Sequence, residues 1–414
     1  MNNFSLYIEY EKDGKPKKEA TLNNIDYDID YKTGKNTLKL VLKTKSPLSL
    51  KKFYISYERP YKDGETFYSN GYQAWTTSRE YKKQDKQIGA IKIANIHPTL
   101  KAMATTSGDY SFIDYPKTSG IFHSFTYCYF KEDDTIDLFG SMGEKNGFTI
   151  FKRDMNNGVF VIEKDIEGLT VDGEYEILEI MNTKGGYDEA FDEYFSKLNI
   201  NTRLKSLSGY TSWYNYFQKI DESIVYRDLY ALKSVKERVG ANIFQIDDGY
   251  ETFVGDWLDH NPKKFPNGMG SVAKKIHDAG FLAGLWLAPL NAQKKSRIAK
   301  EHPDWLVLDN KTGKPIVGVV AWGGAYSLDI YNPEVREYLR EVFDTVIRKW
   351  GFDMVKLDFL YSQCIQSRNN KTRGTIMCDA MKFLRECVGD KYILGCGVPL
   401  GAAFGYVDAC RTGC

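Results

Sequence analysis

Beyond about residue 205 the chain repeats one unit, a short apolar run with polar or acidic residues at its end, followed by an amphipathic stretch. YTSWYNYF precedes ESIVYRDLYALKSVKERV, NIFQIDD precedes a long loop and GSVAKKIHDAG, FLAGLWLAP precedes KKSRIAKEH, and DMVKLDF precedes TIMCDAMKFLREC; YILGCG and YVDACRTG close the series. Near-continuous apolar strands alternating with amphipathic helices require a parallel sheet, because parallel strands need crossovers and bury both faces. Acidic residues recur at the strand C-termini, the end at which (β/α)8 barrels place their sites. The expectation for residues 201–414 is an incomplete TIM barrel of about six strands, in a multidomain α/β chain.

Upstream the texture differs. FSLYIEYEKDGK, NTLKLVLKTKS, KKFYISYERPYKDGE, GVFVIEKDIEG and YEILEIMNTKGG alternate with period two and are broken by turn chemistry, which predicts an all-β domain of two packed sheets. Asp13-Gly14, Asp63-Gly64 and Asp172-Gly173 are tight-turn dipeptides. GYDEAFDEYFSKLNI, starting at Gly186, has helical spacing and reads as a connecting helix. A boundary between residues 195 and 205 gives domains 1–200 and 201–414.

Composition narrows the partner. The 414 residues carry 56 basic and 55 acidic side chains for a net charge of +1, so no global field steers nucleic acid or an anionic membrane surface. Aromatic content is the unusual figure: 29 Tyr, 23 Phe and 7 Trp make 14% of the chain, and aromatic faces suit neutral rings as well as cores. No run approaches the ~20 apolar residues of a membrane span, and the N-terminus has no secretory pattern, so the expected compartment is cytoplasmic. Six of the seven Cys crowd the C-terminal end (Cys364, Cys378, Cys387, Cys396, Cys410, Cys414) without paired spacing, which fits reduced thiols. A homo-oligomer is left open.

The candidate chemistry sits at two strand ends. In DMVKLDF, Lys356 and Asp358 are two apart and therefore share one face of the strand. They form either a catalytic pair or an ion pair closing the barrel mouth. In NIFQIDDGYE, Asp247 and Asp248 point to different faces; they suit bracketing two hydroxyl groups better than sharing a proton, and Asp248 also suits a capping role. Trp257 in VGDWL and Trp286 in GLWLAP can stack on a ring or fill the barrel rim. The five His (His97, His123, His260, His277, His302) are scattered without HExxH or His-x-His spacing, so no metal or other cofactor is expected. GxSxG, P-loop and GxGxxG are absent, and Cys396 in LGCGVPLG, with no neighbouring His, reads as a pocket-lining thiol.

In their order and spacing, WYNYF, QIDDGYE, GDWL with KFPNGM, AGLWLAP, NPEVREYL, VKLDF, LGCGVPLG and DACRTG resemble the α-galactosidases of glycoside hydrolase family 36, and SNGYQAW is similar to that family's N-terminal signature. The resemblance runs from about Ser69 to Cys414. It implies an N-terminal β-supersandwich, a (β/α)8 barrel and a C-terminal β-domain, acting with retention on a neutral terminal α-galactoside of the melibiose or raffinose type. It implies Asp358 as nucleophile, Lys356, Asp247 and Asp248 on galactose hydroxyls, Trp75 inserted from the N-terminal domain, and Arg411 and Cys396 at other sugar contacts. Trp257 and Trp286 follow less directly. A retaining pair needs two carboxyls about 5 to 5.5 Å apart, one of them protonated.

The family's general acid follows its Arg in the form R-x-x-x-D, whereas this sequence reads Arg411, Thr412, Gly413, Cys414 and stops. The expectation is an incomplete hydrolase without its acid/base and without the C-terminal β-domain. A non-catalytic galactoside-binding protein and a galactosyl transferase of the same family are the alternatives.

Overall fold

The computed structural model describes residues 3–89, 108–200, 203 and 206–412. His97, Gly413 and Cys414 lie outside the described residues, as do four positions of the expected boundary (201, 202, 204 and 205).

Two seven-stranded antiparallel sheets form the N-terminal half. One runs Lys15–Glu19, Ser5–Lys12, Leu48–Glu58, Val159–Lys164, Thr149–Asp154, Ile121–Phe125, with Leu169–Val171 also on Leu48–Glu58. The other runs Tyr27–Thr33, Thr37–Thr44, Glu174–Gly185, Thr135–Ser141, Tyr127–Glu132, Thr66–Ser69, Arg79–Tyr81. Alternation does the sorting: Leu38, Leu40 and Leu42 face inward from one strand and Ile8, Tyr10, Phe53 and Ile55 from the other sheet, giving one buried apolar layer. Asp13 and Gly14 both take positive φ (51° and 73°), the two-residue turn whose twist matches the hairpin it closes. The helix Tyr187–Leu198 lays Ala190 and Tyr194 on the outer face of the second sheet, against Ile136, Leu138 and Met181.

The C-terminal half is a six-stranded parallel sheet in strict chain order: Gly209–Thr211, Ile243–Ile246, Leu282–Leu287, Met354–Leu357, Tyr392–Gly395, Ala409–Cys410. Ile243–Ile246 and Met354–Leu357 are buried at every position, as strands covered on both faces must be. Helices Glu222–Val239, Gly268–Asp278, Pro333–Phe343 and Arg373–Val388 complete the crossovers. Their ends follow from sequence. Asp221 accepts the Ile224 N–H and Gly240 ends the first at φ 62°; Thr372 accepts the Thr375 N–H and Gly389 ends the last. The result is an incomplete (β/α)8 barrel beside a β-sandwich. A three-stranded antiparallel sheet (Asn291–Gln293, Ala325–Ser327, Val317–Val319) interrupts the third crossover and was not expected from the sequence.

The two halves share a core. Tyr72, Phe125, Phe148 and Ile150 of the sandwich belong to the same buried cluster as the barrel interior. Tyr72 Oη lies 3.1 Å from Cys364 Sγ, and Arg373 reaches across to Asp165 (2.7 Å) and Glu167 (3.1 Å) while its guanidinium lies over Phe112. Among the described residues no helix is long and apolar enough to cross a membrane.

Candidate active site

A cavity of about 500 Å³ opens at the C-terminal ends of the barrel strands. Its wall includes Trp75, Trp213, Phe217, Gln218, Asp247, Asp248, Trp286, Trp322, Lys356, Asp358, Phe359, Tyr361 and Arg411. Strand periodicity builds the floor. Lys356 is paired in register with Trp286, and Asp358 stands one step past the strand end, so these three side chains meet.

The floor is an electrostatic cluster. Lys356 Nζ lies 2.8 Å from Asp247 Oδ2 and 3.8 Å from Asp358 Oδ2, with all three side chains buried. Burial works to lower the Lys356 ammonium, but the charges of Asp247 and Asp358 outweigh it and hold Lys356 above its ordinary value. Burial pushes Asp247 up, and Lys356 opposes that shift. Asp247 also accepts from Gln245 Nε2 (2.7 Å) and Thr211 Oγ1 (3.4 Å). Asp358 accepts from Trp286 Nε1 (3.0 Å) and from the Phe359 N–H (2.8 Å), so its two oxygens are fixed by an indole and a backbone donor.

Asp248 stands on the adjoining wall. Gln218 Nε2 contacts both its oxygens (3.2 and 2.9 Å) and Trp322 Nε1 donates to Oδ2 (2.9 Å). The indoles interlock, Trp286 edge-on to Trp322 at 5.9 Å and Trp322 edge-on to Phe359 at 5.2 Å. Trp75 arrives from the sandwich, 5.0 Å from Phe359 and 6.0 Å from Tyr361. It presses on Gly397 (φ 58°), where a Cβ would come within 2.7 Å of its ring.

Of the residues singled out in sequence, Trp75, Asp247, Asp248, Trp286, Lys356, Asp358 and Arg411 are brought together around the cavity. Two are placed differently. Trp257 does not reach the cavity: its ring is fully buried behind Trp286 (5.8 Å), and its backbone N–H donates to Tyr338 Oη, so it is core. Cys396 lies behind the wall rather than on it, wholly buried, its thiol hydrogen-bonded to Asp358 and pushed up by burial and then by the Asp358 charge. Sequence reasoning missed Trp322, Trp213, Gln218, Phe217, Phe359 and Tyr361. Trp322 stands beside the glycines of WGGAYS, the only available hint.

The histidines play local roles. His123 pairs with Asp109 (2.9 Å), His277 with Asp353 (2.7 Å), and His302 stacks on Trp305 at 4.0 Å. Among the described residues no group of three His, Cys, Asp or Glu is arranged to hold a metal ion.

The β-sandwich thus inserts an indole into a barrel cavity floored by Asp, Lys and Asp. Residues 212–379, which include both strand-end carboxyl motifs, match the family model for melibiase. The chain is 31% identical over 129 residues to the α-galactosidase Mel36A of Lactobacillus acidophilus, a match covering 30% of this chain and 17% of that protein. It is 30% identical over 150 residues to the A type blood α-D-galactosamine galactosaminidase of Flavonifractor plautii, covering 32% and 13%. The fold matches TtGalA, an α-galactosidase from Thermus thermophilus solved with p-nitrophenyl α-D-galactopyranoside, at TM-score 0.69 and 22% identity over 98% of this chain and 74% of that one. It also matches the family 36 α-galactosidase AgaA of Geobacillus stearothermophilus at TM-score 0.62 and 13% identity, covering 98% and 64%. Over residues 212–379 the chain is thus similar to the melibiase family, and the relatives it matches include α-galactosidases. Its alignments span less than a quarter of the length of these curated relatives.

Proposed function

We propose that the cavity binds a terminal α-linked galactose and that Asp358 is the nucleophile of a retaining hydrolysis. The observation that carries this reading is the placing of Asp358: buried at a strand end, beside the Lys356 ammonium, held by the Trp286 and Phe359 N–H groups, and facing an indole-walled cavity. An Asp358 oxygen attacks the anomeric carbon as the glycosidic C–O bond breaks, and the departing aglycone oxygen leaves as the anion or takes a proton from solvent. Water then displaces Asp358 from the ester, releasing galactose with net retention. Lys356, Asp247 and Asp248 offer one cation and two acceptors for sugar hydroxyls, and the indoles cover the apolar face of the ring. A neutral sugar agrees with the near-zero net charge of the chain.

The three cavity carboxyls are each engaged as hydrogen-bond acceptors, so we assign none of them as the acid. Free thiols at Cys128, Cys364, Cys378, Cys387, Cys396 and Cys410 fit a reducing compartment, and we place the protein in the cytoplasm.

The test uses p-nitrophenyl α-galactoside, whose phenolate leaves unassisted. The expected result is a burst of one nitrophenolate per chain, with a galactosyl mass on the peptide containing Asp358 and neither signal in Asp358→Asn. Galactose binding without burst or adduct would replace this reading with a non-catalytic galactoside-binding protein.

A further inference from the structure

Directly after Asp358 the backbone turns through Phe359 at φ 53° and ψ 34° and then winds into the short helical turn Leu360–Cys364. That left-handed conformation is disfavoured for a bulky aromatic residue, because its Cβ crowds the following carbonyl oxygen. The site depends on the turn: it brings the Phe359 N–H to 2.8 Å from Asp358 Oδ1, one of the two donors that fix the carboxylate. Something outside the turn must hold it there.

The three-stranded antiparallel sheet inserted in the third crossover supplies the hold. Asn291, on the strand Asn291–Gln293 and wholly buried, donates from Nδ2 to the Phe359 carbonyl at 3.3 Å. The carbonyl's other donor, the Ser362 N–H at 3.3 Å, belongs to the turn itself. A carbonyl only accepts, so the amide nitrogen of Asn291 must face it. Asn291 Oδ1 has no hydrogen-bond partner among the described residues, so the bond to Phe359 is the one polar contact for which this amide is kept in the interior. Neighbouring residues of the same sheet grip the same segment. Ser327 Oγ donates to the Ser362 carbonyl (3.0 Å), and the Leu328 carbonyl accepts from Gln363 Nε2. Gly318, on the strand Val317–Val319, leaves room for this packing: a Cβ there would meet Ser327 Oγ and lie 2.8 Å from Ser362 Cβ.

We propose that Asn291 is a positioning residue for Asp358: it holds Phe359 in the left-handed turn, and the turn aims the Phe359 N–H at the attacking carboxylate. The inference rests on the hydrolase reading of the cavity and adds to it a residue that does not line the wall. If Asn291 acts through the turn, a residue that adopts positive φ unaided makes it dispensable, and glycine does so. If Asn291 only stabilises the small sheet, glycine at 359 changes nothing about the need for it.

The experiment has two readouts on the 414-residue chain. The first is the single-turnover rate of galactosyl-ester formation from p-nitrophenyl α-galactoside. Asn291→Leu removes the donor at similar side-chain size and should slow that rate by about tenfold to a hundredfold, the effect of a small misplacement of a reacting group. Adding Phe359→Gly should raise the rate again, above that of Asn291→Leu alone. The second readout is amide hydrogen exchange by NMR on chain labelled with ¹⁵N-phenylalanine. The Phe359 N–H should exchange slowly in the wild type and faster in Asn291→Leu, while the amides of Phe343, in the helix Pro333–Phe343, and of Phe352, bonded to the Val346 carbonyl, keep their protection. Asn291→Ala takes the place of Asn291→Leu if those two amides show that the leucine variant has not folded. An undiminished rate in the Asn291 variant, a diminished rate that Phe359→Gly fails to raise, or unchanged Phe359 exchange overturns the proposal. Absence of ester formation by the wild-type chain would instead overturn the hydrolase reading, and the exchange data would still decide whether Asn291 holds the turn.

Discussion

If the sandwich builds part of the cavity wall, the contact between Trp75 and Gly397 should be energetically coupled. Gly397 has φ 58°, and a Cβ there would lie 2.7 Å from Trp75 Cζ3, 2.9 Å from Cη2 and 3.2 Å from the Phe359 nitrogen. Gly397→Ala therefore meets two separate costs. A left-handed backbone costs an L-residue about 1–2 kcal/mol. Carbon atoms prefer separations of about 3.5–4.0 Å, so the indole must retreat by nearly 1 Å into Phe359 and Tyr361, an overpacking of about 1–3 kcal/mol. The sum is about 2–5 kcal/mol in the wild-type background. With Trp75→Ala the second cost disappears, and Gly397→Ala should then cost only the backbone share. Urea unfolding of the wild type, the two single variants and the double variant gives the cycle, with an expected coupling of about 1–3 kcal/mol. The same proteins titrated with galactose should show Gly397→Ala weakening binding only when Trp75 is present. Equal destabilisation by Gly397→Ala in both backgrounds would refute the claim that the indole is pressed against that turn.

Three other perturbations probe separate parts of the reasoning. Lys356→Met leaves Asp247 and Asp358 buried without their cation; the expected loss is about 3–5 kcal/mol in unfolding free energy, recovered in part by adding Asp247→Asn. Trp322→Phe keeps the aromatic wall but deletes the 2.9 Å donor to Asp248, so galactose affinity measured by calorimetry should drop by about 1.5–3 kcal/mol with little change in stability. Asp165, at the sandwich–barrel seam, is pushed up by burial, against the pull of Arg373, to about 6. Between its unfolded value near 4 and about 6 the folded chain holds a proton that the unfolded chain has lost, so stability should fall by about 3 kcal/mol as pH rises through that window and level off above it. Denaturation of Asp165→Asn across pH 3 to 8 should lack that slope, and an unchanged slope would assign it to other groups.

The parts of this molecule legible in its sequence are those where a local rule and the final packing agree. ESIVYRDLYALKSVKERV coincides with the helix Glu222–Val239 because Asp221 caps it and Gly240 ends it, both signals immediately flanking the segment. Lys356 and Asp358 could be set on one face because strand side chains alternate wherever the strand ends up. No such rule reached Trp257, for which stacking on a ring and filling the rim were both open. It lies in a loop, where no period fixes direction, and packing sent its indole behind Trp286. Cys396 was read correctly as a strand end but one layer too far forward, because depth below a wall depends on side chains contributed by other strands.

Three of the six residues that sequence reasoning missed share a physical cause. Phe217, Trp322 and Phe359 all line the cavity, and all three have positive φ (51°, 57° and 53°). Bulky aromatic residues in that region each carry strain of about 1–3 kcal/mol and persist only where their surroundings over-determine them. Here the surroundings are visible: Phe217 donates its N–H to the Trp213 carbonyl, the Trp322 carbonyl accepts from Gln293, and the Phe359 carbonyl accepts from Asn291. The last two partners come from the antiparallel sheet that sequence periodicity did not reveal. Local preference at these three positions argues against the conformation that makes the wall, so a reading built on local preference had to fail there. It failed at the cavity because that is where the fold sets tertiary packing against local propensity.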